Sequence, residues 1–370
     1  MSNSFIILGL ESSCDETAAA LLKITFEKTE ILDSVILSSI VLGQNNLHSK
    51  FGGVVPELAA RAHSEKLDIA VEMAVSESAL DLKQIDVVSV TSGPGLIGGV
   101  ISGVMFAKGF SLGLAKPLIG VNHLAGHALT PRLTDKLKFP YLLLLVSGGH
   151  CQFLIVNDSK NFSRIGGTID DAPGEAFDKV AKILNLGYPG GPLVERKALL
   201  GDPGKYNLPR PLINSQDCNL SFSGLKTALR REYDKLKEGS KKITAGEISD
   251  LCASFQRAVA ETLVAKSDLA MKRFSKKFPY TEKSIAVAGG VAANQEIRNT
   301  LKNLAIQQGF SFFAPPINLC TDNGSIIAYA GAEQYLKEKI NKADLVPRPR
   351  WPLDELAKPM LGSGKRGAKA

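Results

Sequence analysis

The sequence predicts an α/β protein built from two related lobes. At 370 residues the chain is longer than one hydrophobic core usually serves, so two lobes are expected. Strand-sized apolar runs are mixed with helical segments along the chain, an order typical of sheets covered by helices. A pair of apolar runs joined by a small-residue loop occurs near the N-terminus and again at 139–156. This recurrence indicates an internal duplication.

The first half of the chain is predicted to contain a hairpin followed by helical units. SFIILGLESSCDETAAALLKI (4–24) is an apolar run, a polar turn and a second apolar run, which predicts two paired strands. Residues 55–75 carry apolar positions at helical spacing. Residues 86–115 indicate a buried strand, a glycine-rich turn and a long apolar helix. PLIGVNHLAGHAL (117–129) repeats that order, with Asn122 as a suitable helix N-cap.

The second half begins with the matching hairpin FPYLLLLVSGGHCQFLIV, in which Ser147 occupies a place similar to that of Ser12. Helices are expected in SFSGLKTALRREY and ISDLCASFQRAVAETLVAKSDLAMKRF, and a strand, turn and helix in SIAVAGGVAANQEIRNTL. An extended segment then precedes a helix that opens after the sequence Thr-Asp-Asn-Gly at 321–324. The expected lobes are 1–128 with about 320–350, and 129–319, followed by a poorly ordered tail at 357–370.

Composition excludes several classes of protein. The longest apolar runs, such as YLLLLV, are far too short to cross a bilayer, and the N-terminus lacks the features of a signal peptide. Five scattered cysteines without CxxC spacing fit a reducing cytoplasm. The net charge of +7 permits a polyanionic partner. Basic clusters at 230–242 and 272–277 are interpreted first as solvated helix faces, with contact to phosphates as the alternative.

Two histidines, His123 and His127, stand four residues apart in a predicted helix. They would project from one face, as required to bind one metal ion together. A zincin protease has glutamate after the first histidine, but Leu124 stands there, so proteolysis lacks its base. Asp322 is the candidate third ligand, although aspartate before a helix is more often a cap. Two histidines and one carboxylate suit iron(II), with zinc or manganese as substitutes.

Glycine-rich turns after strands predict a nucleotide held between the lobes, because glycine lets backbone N–H groups approach a phosphate. The acidic residues Glu175 and Asp178 would share a helix face, where they could bind ribose hydroxyls or a cation, or only favour the helix dipole. Glu11, Asp15 and Glu16 flank the first hairpin loop and could orient a substrate or water. The four turns are SGPGLIGG (92–99), VSGGH (146–150), YPGGP (188–192) and AGGVAAN (288–294).

Together these motifs resemble the universal tRNA threonylcarbamoyltransferases of the bacterial TsaD type, from about Ile6 to Leu356. The resemblance implies two ribonuclease-H-like lobes of the actin/sugar-kinase/Hsp70 superfamily, with a nucleotide and metal cleft between them. It implies transfer of a threonylcarbamoyl group from threonylcarbamoyl-AMP to N6 of adenosine 37 in tRNAs reading ANN codons, with release of AMP. The matching motifs are ESSCDET, FGGVVPELAARAH, SGPGLIGG, NHLAGH, LVSGGH, IDDAPGEAFDK, YPGGP, SFSGLKTA, AGGVAAN, CTDNG and RPRWPL.

The resemblance also implies roles for individual residues. One Fe²⁺, or Zn²⁺ in its place, would be bound per subunit by His123, His127 and Asp322. Asp15 and Glu16 fall where the family has acidic residues implicated in activity. A metal-binding tyrosine of the archaeal and eukaryotic branch is replaced by leucine at 145, which favours the bacterial subtype; Glu195 could add a ribose contact. The implied substrate-binding residues are Leu145, Val146, Ser147, Gly148, Gly149, Asp178, Gly191 and Asn294.

The implied partners are tRNA, a paralogous TsaB-type subunit and a small TsaE-type ATPase, with docking expected around the helix at 55–75. No membrane is involved, and a cytoplasmic location is expected. Three alternatives stay open: a kinase or ATPase of the same superfamily, a metallopeptidase, and a non-enzymatic tRNA-binding scaffold. A kinase would leave the histidine pair unexplained, and a peptidase would lack its base because Leu124 stands in that position. A scaffold would leave the candidate metal ligands and the glycine-rich turns without a function.

Overall fold

The computed structural model describes residues 2–238, 243–338, 344–358 and 360, and all statements below concern these residues. The strands are β1 (Asn3–Glu11), β2 (Glu16–Glu27), β3 (Glu30–Gly43), β4 (Val87–Gly93), β5 (Leu118–Asn122), β6 (Tyr141–Val146), β7 (Cys151–Val156), β8 (Phe162–Gly167), β9 (Ser284–Ala288) and β10 (Ser311–Phe313). The helices are α1 (Asn45–His48), α2 (Pro56–Ser78), α3 (Ile97–Leu114), α4 (His123–Asp135), α5 (Pro173–Ile183), α6 (Gly190–Ala198), α7 (Ser223–Glu238), α8 (Ala245–Lys277), α9 (Gln295–Gln307) and α10 (Gly324–Glu338).

The strands form two five-stranded mixed sheets of the same topology. The first has the order β3-β2-β1-β4-β5 and the second β10-β9-β6-β7-β8. In each sheet a central strand, β1 or β6, pairs antiparallel with the next strand in sequence and parallel with a later one. The predicted duplication and the predicted hairpins are therefore confirmed. Ser12 and Ser147 each directly follow a central strand, as the sequence indicated.

Most predicted helices and strands are present, and Asn122 caps α4 by accepting a hydrogen bond from the Leu124 N–H at 2.9 Å. The strands β3 and β8 and the helices α1 and α6 were not predicted. One expectation was wrong: YPGGP does not follow a strand but connects α5 to α6. Gly187, with φ of 109°, ends the preceding segment, and Pro189 occupies the N-cap of α6. Glycine and proline therefore separate two helices here.

Helix α10 lies against the first sheet at a very close approach of two backbones. A Cβ added to Gly9 would lie 2.2 Å from the Gly324 carbonyl oxygen, so no side chain fits there. The neighbouring core cluster contains fully buried Ile7, Leu143 and Ile327, from both sheets and α10. One apolar core thus joins the two sheets, with α4 and its histidines packed within it.

The segment 344–358 runs along the ends of both sheets. The Arg348 N–H donates to the Ser92 carbonyl at 2.7 Å, next to the first sheet, and the Asn122 side chain donates to the Trp351 carbonyl at 3.0 Å. The Arg164 N–H of the second sheet donates to Asp354 at 2.8 Å. Most of the tail expected to be poorly ordered, residues 359 and 361–370, lies outside the described residues.

Among the described helices, α3 alone is long and apolar enough to cross a membrane by length and composition, with a mean hydropathy of 1.5. Its inner side packs on the first sheet through fully buried Val100, Val104 and Ala107. The core helices of many soluble proteins pass the same test.

The two basic clusters are partly neutralised within their own helices. Lys235 pairs with Glu232 at 2.8 Å on α7, and Lys272 pairs with Asp268 at 2.5 Å on α8. These short-range pairs fit the interpretation as solvated helix faces. Residues 239–242 of the first cluster lie outside the described residues.

Candidate metal and nucleotide site

The two histidines and the aspartate named from the sequence come together at the ends of β5 and α10. Nε2 of His127 lies 3.1 Å from Oδ1 of Asp322, and Nε2 of His123 lies 3.5 Å from the same oxygen. All three ligand atoms lie within 4.8 Å of one another. The alternative role of Asp322 as a helix cap is taken by Asn323, whose side chain accepts from the Ile326 N–H at 3.1 Å. The Asp322 carboxylate is therefore available to a cation.

The carboxylates and imidazoles of this site stabilise each other's charged forms, and a metal ion would take the place of the proton on each histidine. Although burial favours the neutral acid, the adjacent His123 and His127 imidazoles hold the pKa of the Asp322 carboxyl well below its usual range. Burial opposes a charge on His123 as well, but Asp322 and Glu11 raise its pKa to about 9. Two imidazoles and one carboxylate form a donor set that fits a divalent transition metal.

The residue after His123 cannot act as a base. The Leu124 side chain is fully buried in the core between the sheets and does not face the cleft. A zincin-type protease needs a carboxylate at this place. The geometry therefore agrees with the sequence in opposing proteolysis.

Glu11 contacts the site in a way that the sequence did not specify. It is the last residue of β1, is fully buried, and lies 2.8 Å from Nδ1 of His123. The sequence placed Glu11 only beside the first hairpin loop. The available signal was positional: β1, β4 and β5 run parallel, so residues at their carboxyl ends meet at one edge of the sheet.

The loop that carries Asp15 and Glu16 is held next to the trio. His63 lies 3.0 Å from the Cys14 carbonyl through Nε2 and 2.8 Å from the Thr17 hydroxyl through Nδ1. Burial, followed by the charges of Asp322 and Asp15, raises the pKa of Glu16. The structure thus brings the two acidic residues and the three candidate ligands into one region.

The VSGGH loop joins β6 to β7 beside this region. The side chains of Leu145 and Val146 are fully buried in the core, so only their backbone can meet a ligand. Gly148 and Gly149 have open space where a Cβ would stand. The charge of His150, in the same loop, contributes to the low pKa of Asp322 after burial and the two other histidines. The loop and the trio are therefore electrostatically coupled.

The remaining predicted substrate residues are Asp178, Gly191 and Asn294, and the start of α5, which carries Asp178, contacts the VSGGH loop through the Glu175 N–H and the Gly148 carbonyl at 3.0 Å. Asp178 on α5 accepts a hydrogen bond from the Gly190 N–H at 2.8 Å, and burial raises the Asp178 pKa. Gly191, like Gly148, has open space where a Cβ would stand. Burial and two hydrogen bonds tie Asn294 to the protein: it caps α9 through Ile297 and donates to Gln256 at 2.8 Å.

Glu195 and Glu175, two acidic residues considered from the sequence, have partners within the protein. Glu195 accepts from the Gln295 N–H at 2.7 Å and so lies at the start of α9. Glu175 pairs with Lys179 at 2.8 Å, and only its neighbour Asp178 faces the Gly190 turn. The two carboxylates on α5 therefore do not act as one pair.

The chain matches known proteins over its whole length. The family model described as "TsaD: tRNA N6-adenosine threonylcarbamoyltransferase" matches residues 35–329. A protein of that name from Ruegeria pomeroyi is 56% identical over 370 residues, 100% of both chains. One from Paracoccus denitrificans is 55% identical over the same coverage. The chain belongs to the TsaD family.

Membership of the TsaD family makes the chain a transferase that modifies tRNA by forming threonylcarbamoyladenosine, and neither the kinase nor the peptidase alternative is favoured. The predicted family resemblance is thereby confirmed. The TsaD family implies a metal-dependent enzyme, and His123, His127 and Asp322 form a possible metal site.

Solved structures support the fold. The chain is similar to full-length HypF in a phosphate- and nucleotide-bound form, with a TM-score of 0.55, 14% identity, and coverage of 92% of this chain and 47% of that chain. The chain is also similar to HypF from T. kodakarensis, with a TM-score of 0.54, 14% identity, and coverage of 92% of this chain and 49% of that chain. With the two duplicated five-stranded sheets, this likeness confirms the predicted α/β fold class.

Proposed function

We propose that this TsaD-family enzyme transfers the threonylcarbamoyl group from threonylcarbamoyl-AMP to N6 of adenosine 37 in tRNAs reading ANN codons. The observation that supports this most is the convergence of His123, His127 and Asp322 beside the open VSGGH loop. The candidate ligands His123 and His127 follow β5 of the first sheet, and the glycine loop that we assign to the nucleotide follows β6 of the second. An acyl-adenylate needs both kinds of contact at once.

The donor is already activated, so the enzyme needs no covalent nucleophile. N6 of adenosine attacks the carbamoyl carbon, the bond from that carbon to the AMP oxygen breaks, and N6 loses one proton. The protein must align the two reactants and stabilise the negative charge that develops on the carbonyl oxygen. We assign the AMP portion to the backbone of residues 145–149 together with Asp178, Gly191 and Asn294.

The three ligands would hold one divalent cation, which we assign as Fe²⁺ with Zn²⁺ as the substitute. When bound, such an ion acts as a Lewis acid toward a carbonyl or phosphoryl oxygen. The division of the chain into lobes at 1–128 with about 320–350, and 129–319, places His123 and Asp322 in the first lobe. The VSGGH loop then belongs to the second.

Asp15 and Glu16 are assigned to the acceptor side of the site. Burial and neighbouring carboxylates raise the pKa of Glu16, and a carboxylate of raised pKa is a better proton acceptor. Asp15 is buried and could orient the adenosine amine or a water. Their place beside Asp322 supports this role.

Reconstitution tests the proposal. Purified chain, synthetic threonylcarbamoyl-AMP, tRNA and the partner proteins are combined, and the nucleosides are analysed by mass spectrometry. His123→Ala should lose both metal and modification, whereas His48→Asn, a buried histidine outside the donor set, should keep both. Metal analysis after anaerobic purification should find iron. Full modification by metal-free His123→Ala would refute the metal assignment, and no modified adenosine with any partner combination would refute the reaction.

The expected TsaB-type partner is assigned to the outer face of α2 and α3. The two helices meet closely where the hydroxyls of Ser64 and Ser102 lie 3.2 Å apart. The two helices carry several exposed large apolar residues, which a protein partner could cover. The set consists of Ile69, Met73, Ile97, Ile101, Met105 and Leu112. A TsaE-type ATPase would join that pair, and the complex would act in the cytoplasm.

A further inference from the structure

Glu11 contacts the candidate metal ligand His123 at Nδ1, the ring nitrogen that does not face Asp322. Its side chain is fully buried at the end of β1. Oε2 lies 2.8 Å from Nδ1 of His123 and accepts from the Thr91 hydroxyl at 2.6 Å. Oε1 accepts from the Ser13 N–H at 2.6 Å. The Ser13 hydroxyl lies 3.3 Å from the same imidazole nitrogen.

The partners of this carboxylate determine which chemical group can stand there. The Ser13 N–H is a backbone group and can only donate, so Oε1 must be an acceptor. A carboxylate is an acceptor at both oxygens, and Oε2 therefore favours a proton on Nδ1 of His123. An amide at position 11 would present an NH₂ group either to the Ser13 N–H or to His123. With its oxygen on the Ser13 N–H, the amide would donate to Nδ1 of His123 and so favour the other tautomer. Only a carboxylate accepts from the Ser13 N–H and from a protonated Nδ1 at once.

We propose that Glu11 is a positioning residue that fixes the ring orientation and tautomer of His123 for metal binding. With the proton held on Nδ1, the lone pair of Nε2 faces Asp322, where the ion would bind. This inference rests on the proposed metal site. Nδ1 of His127 provides a contrast, because it is buried and has no hydrogen-bond partner among the described residues.

The same carboxylate links the metal helix to the acidic loop. Ser13, which donates to Glu11 through its N–H, lies two residues before Asp15. The carbonyl of Ser13 accepts from the Leu96 N–H at 2.8 Å, so this loop is fixed from both sides. Glu11 thus sets the position of His123 relative to Asp15 and Glu16.

The decisive experiment compares Glu11→Gln with the unchanged chain in zinc affinity, measured by competition with a chelator. Loss of an outer partner of a metal histidine costs about 10- to 100-fold in affinity, and we expect that loss here. In zinc-loaded protein labelled with ¹⁵N-histidine, the His123 signals should change from a single Nδ1-protonated form to a mixture. Glu11→Asp keeps the carboxylate but moves it away from His123, so its zinc affinity should lie between those of Glu11→Gln and the unchanged chain.

Matched controls separate positioning from general destabilisation. Glu333→Gln changes another buried, hydrogen-bonded carboxylate. Glu333 lies in the last two turns of α10 and accepts from Arg132 on α4 at 2.8 Å. It should lower thermal stability but leave zinc affinity unchanged. If Glu11→Gln and Glu11→Asp both keep full affinity and the Nδ1-protonated signal, the positioning role is wrong. If His123→Ala also keeps full affinity, the metal site itself is wrong.

Discussion

The Tyr188 hydroxyl donates to Oδ2 of Asp15 across 3.3 Å, although 173 residues separate them in sequence. Tyr188 belongs to the connection between α5 and α6, beside the second sheet, and Asp15 follows the central strand of the first. Burial, and then the charges of Asp15 and Asp178, raise the pKa of Tyr188 above its ordinary value, so the phenol remains a neutral donor. This bond connects the proposed donor and acceptor sides of the cleft.

Replacing Tyr188 with phenylalanine should remove that connection while keeping the ring. We expect kcat/KM for tRNA modification to fall about 3- to 10-fold, which corresponds to the roughly 1 kcal/mol of one hydrogen bond. Thermal stability should change little. Tyr280→Phe, at a fully exposed side chain, is the control and should leave the rate unchanged. Unaltered kinetics of Tyr188→Phe would show that the bond does not contribute.

Two neighbouring substitutions should separate ligation from capping before α10. Asp322→Asn should weaken zinc affinity at least 10-fold, because it removes one of the three candidate ligands. Asn323→Ala should instead lower the free energy of unfolding by about 1 kcal/mol with affinity nearly retained. Chelator competition and denaturant unfolding measure the two effects. Equal effects of both substitutions on affinity would contradict the assignment.

Adding a methyl group at Gly9 should separate α10 from the first sheet. Its Cβ would lie within 2.5 Å of the Ala328 nitrogen, so backbone must move, and we expect a loss of about 1–3 kcal/mol of stability. Metal affinity should fall too, because Asp322 precedes the displaced helix. Gly113→Ala on α3 meets no atom within 4 Å and should be neutral or slightly stabilising. Denaturant unfolding of both variants provides the test.

Asp170 should make stability depend on pH in the acid range. Burial favours its neutral form, but hydrogen bonds from Ser221, Phe222 and Ser223 outweigh this and lower its pKa. Because the folded-state pKa is depressed, its stabilisation is present above the unfolded-state pKa of about 3.9 and is lost as pH falls through the folded value.

Asp170→Asn should therefore be less stable than the unchanged chain at pH 6 by about 1 kcal/mol, after allowance for solvent screening. The difference should shrink as the pH falls below about 4. Asp68→Asn, at an exposed position on α2, should show no such convergence. A difference that stays constant down to pH 2 would exclude Asp170 as the source.

The outer face of α3 offers a test of the partner assignment. Met105 is 59% exposed at the centre of the apolar set, and Met105→Lys should weaken binding of the TsaB-type subunit at least 10-fold. Leu199→Lys, at a residue that is 78% exposed at the end of α6 and outside the apolar set, is the matched control. Calorimetry gives the affinities. Equal binding by both variants would place the interface elsewhere.

The sequence predicted the elements whose patterns are local. The hairpin of β1 and β2, the cap at Asn122 and the histidine pair on α4 all follow from neighbouring residues. By contrast, β3 alternates exposed and half-buried positions at a sheet edge, so its apolar signal is weak. The Glu11–His123 and Asp15–Tyr188 contacts join residues more than 100 positions apart. Such contacts depend on sheet order, which no local pattern specifies.

The order of synthesis has a consequence for how this enzyme matures. All five strands of the first sheet have been synthesised once residue 122 is made, yet α10, which covers one face of this sheet, begins only at Gly324. About 200 further residues must therefore be synthesised before α10 can cover its face of the first sheet. Asp322 belongs to the same late segment, so the three candidate ligands can come together only after more than 300 residues have been synthesised.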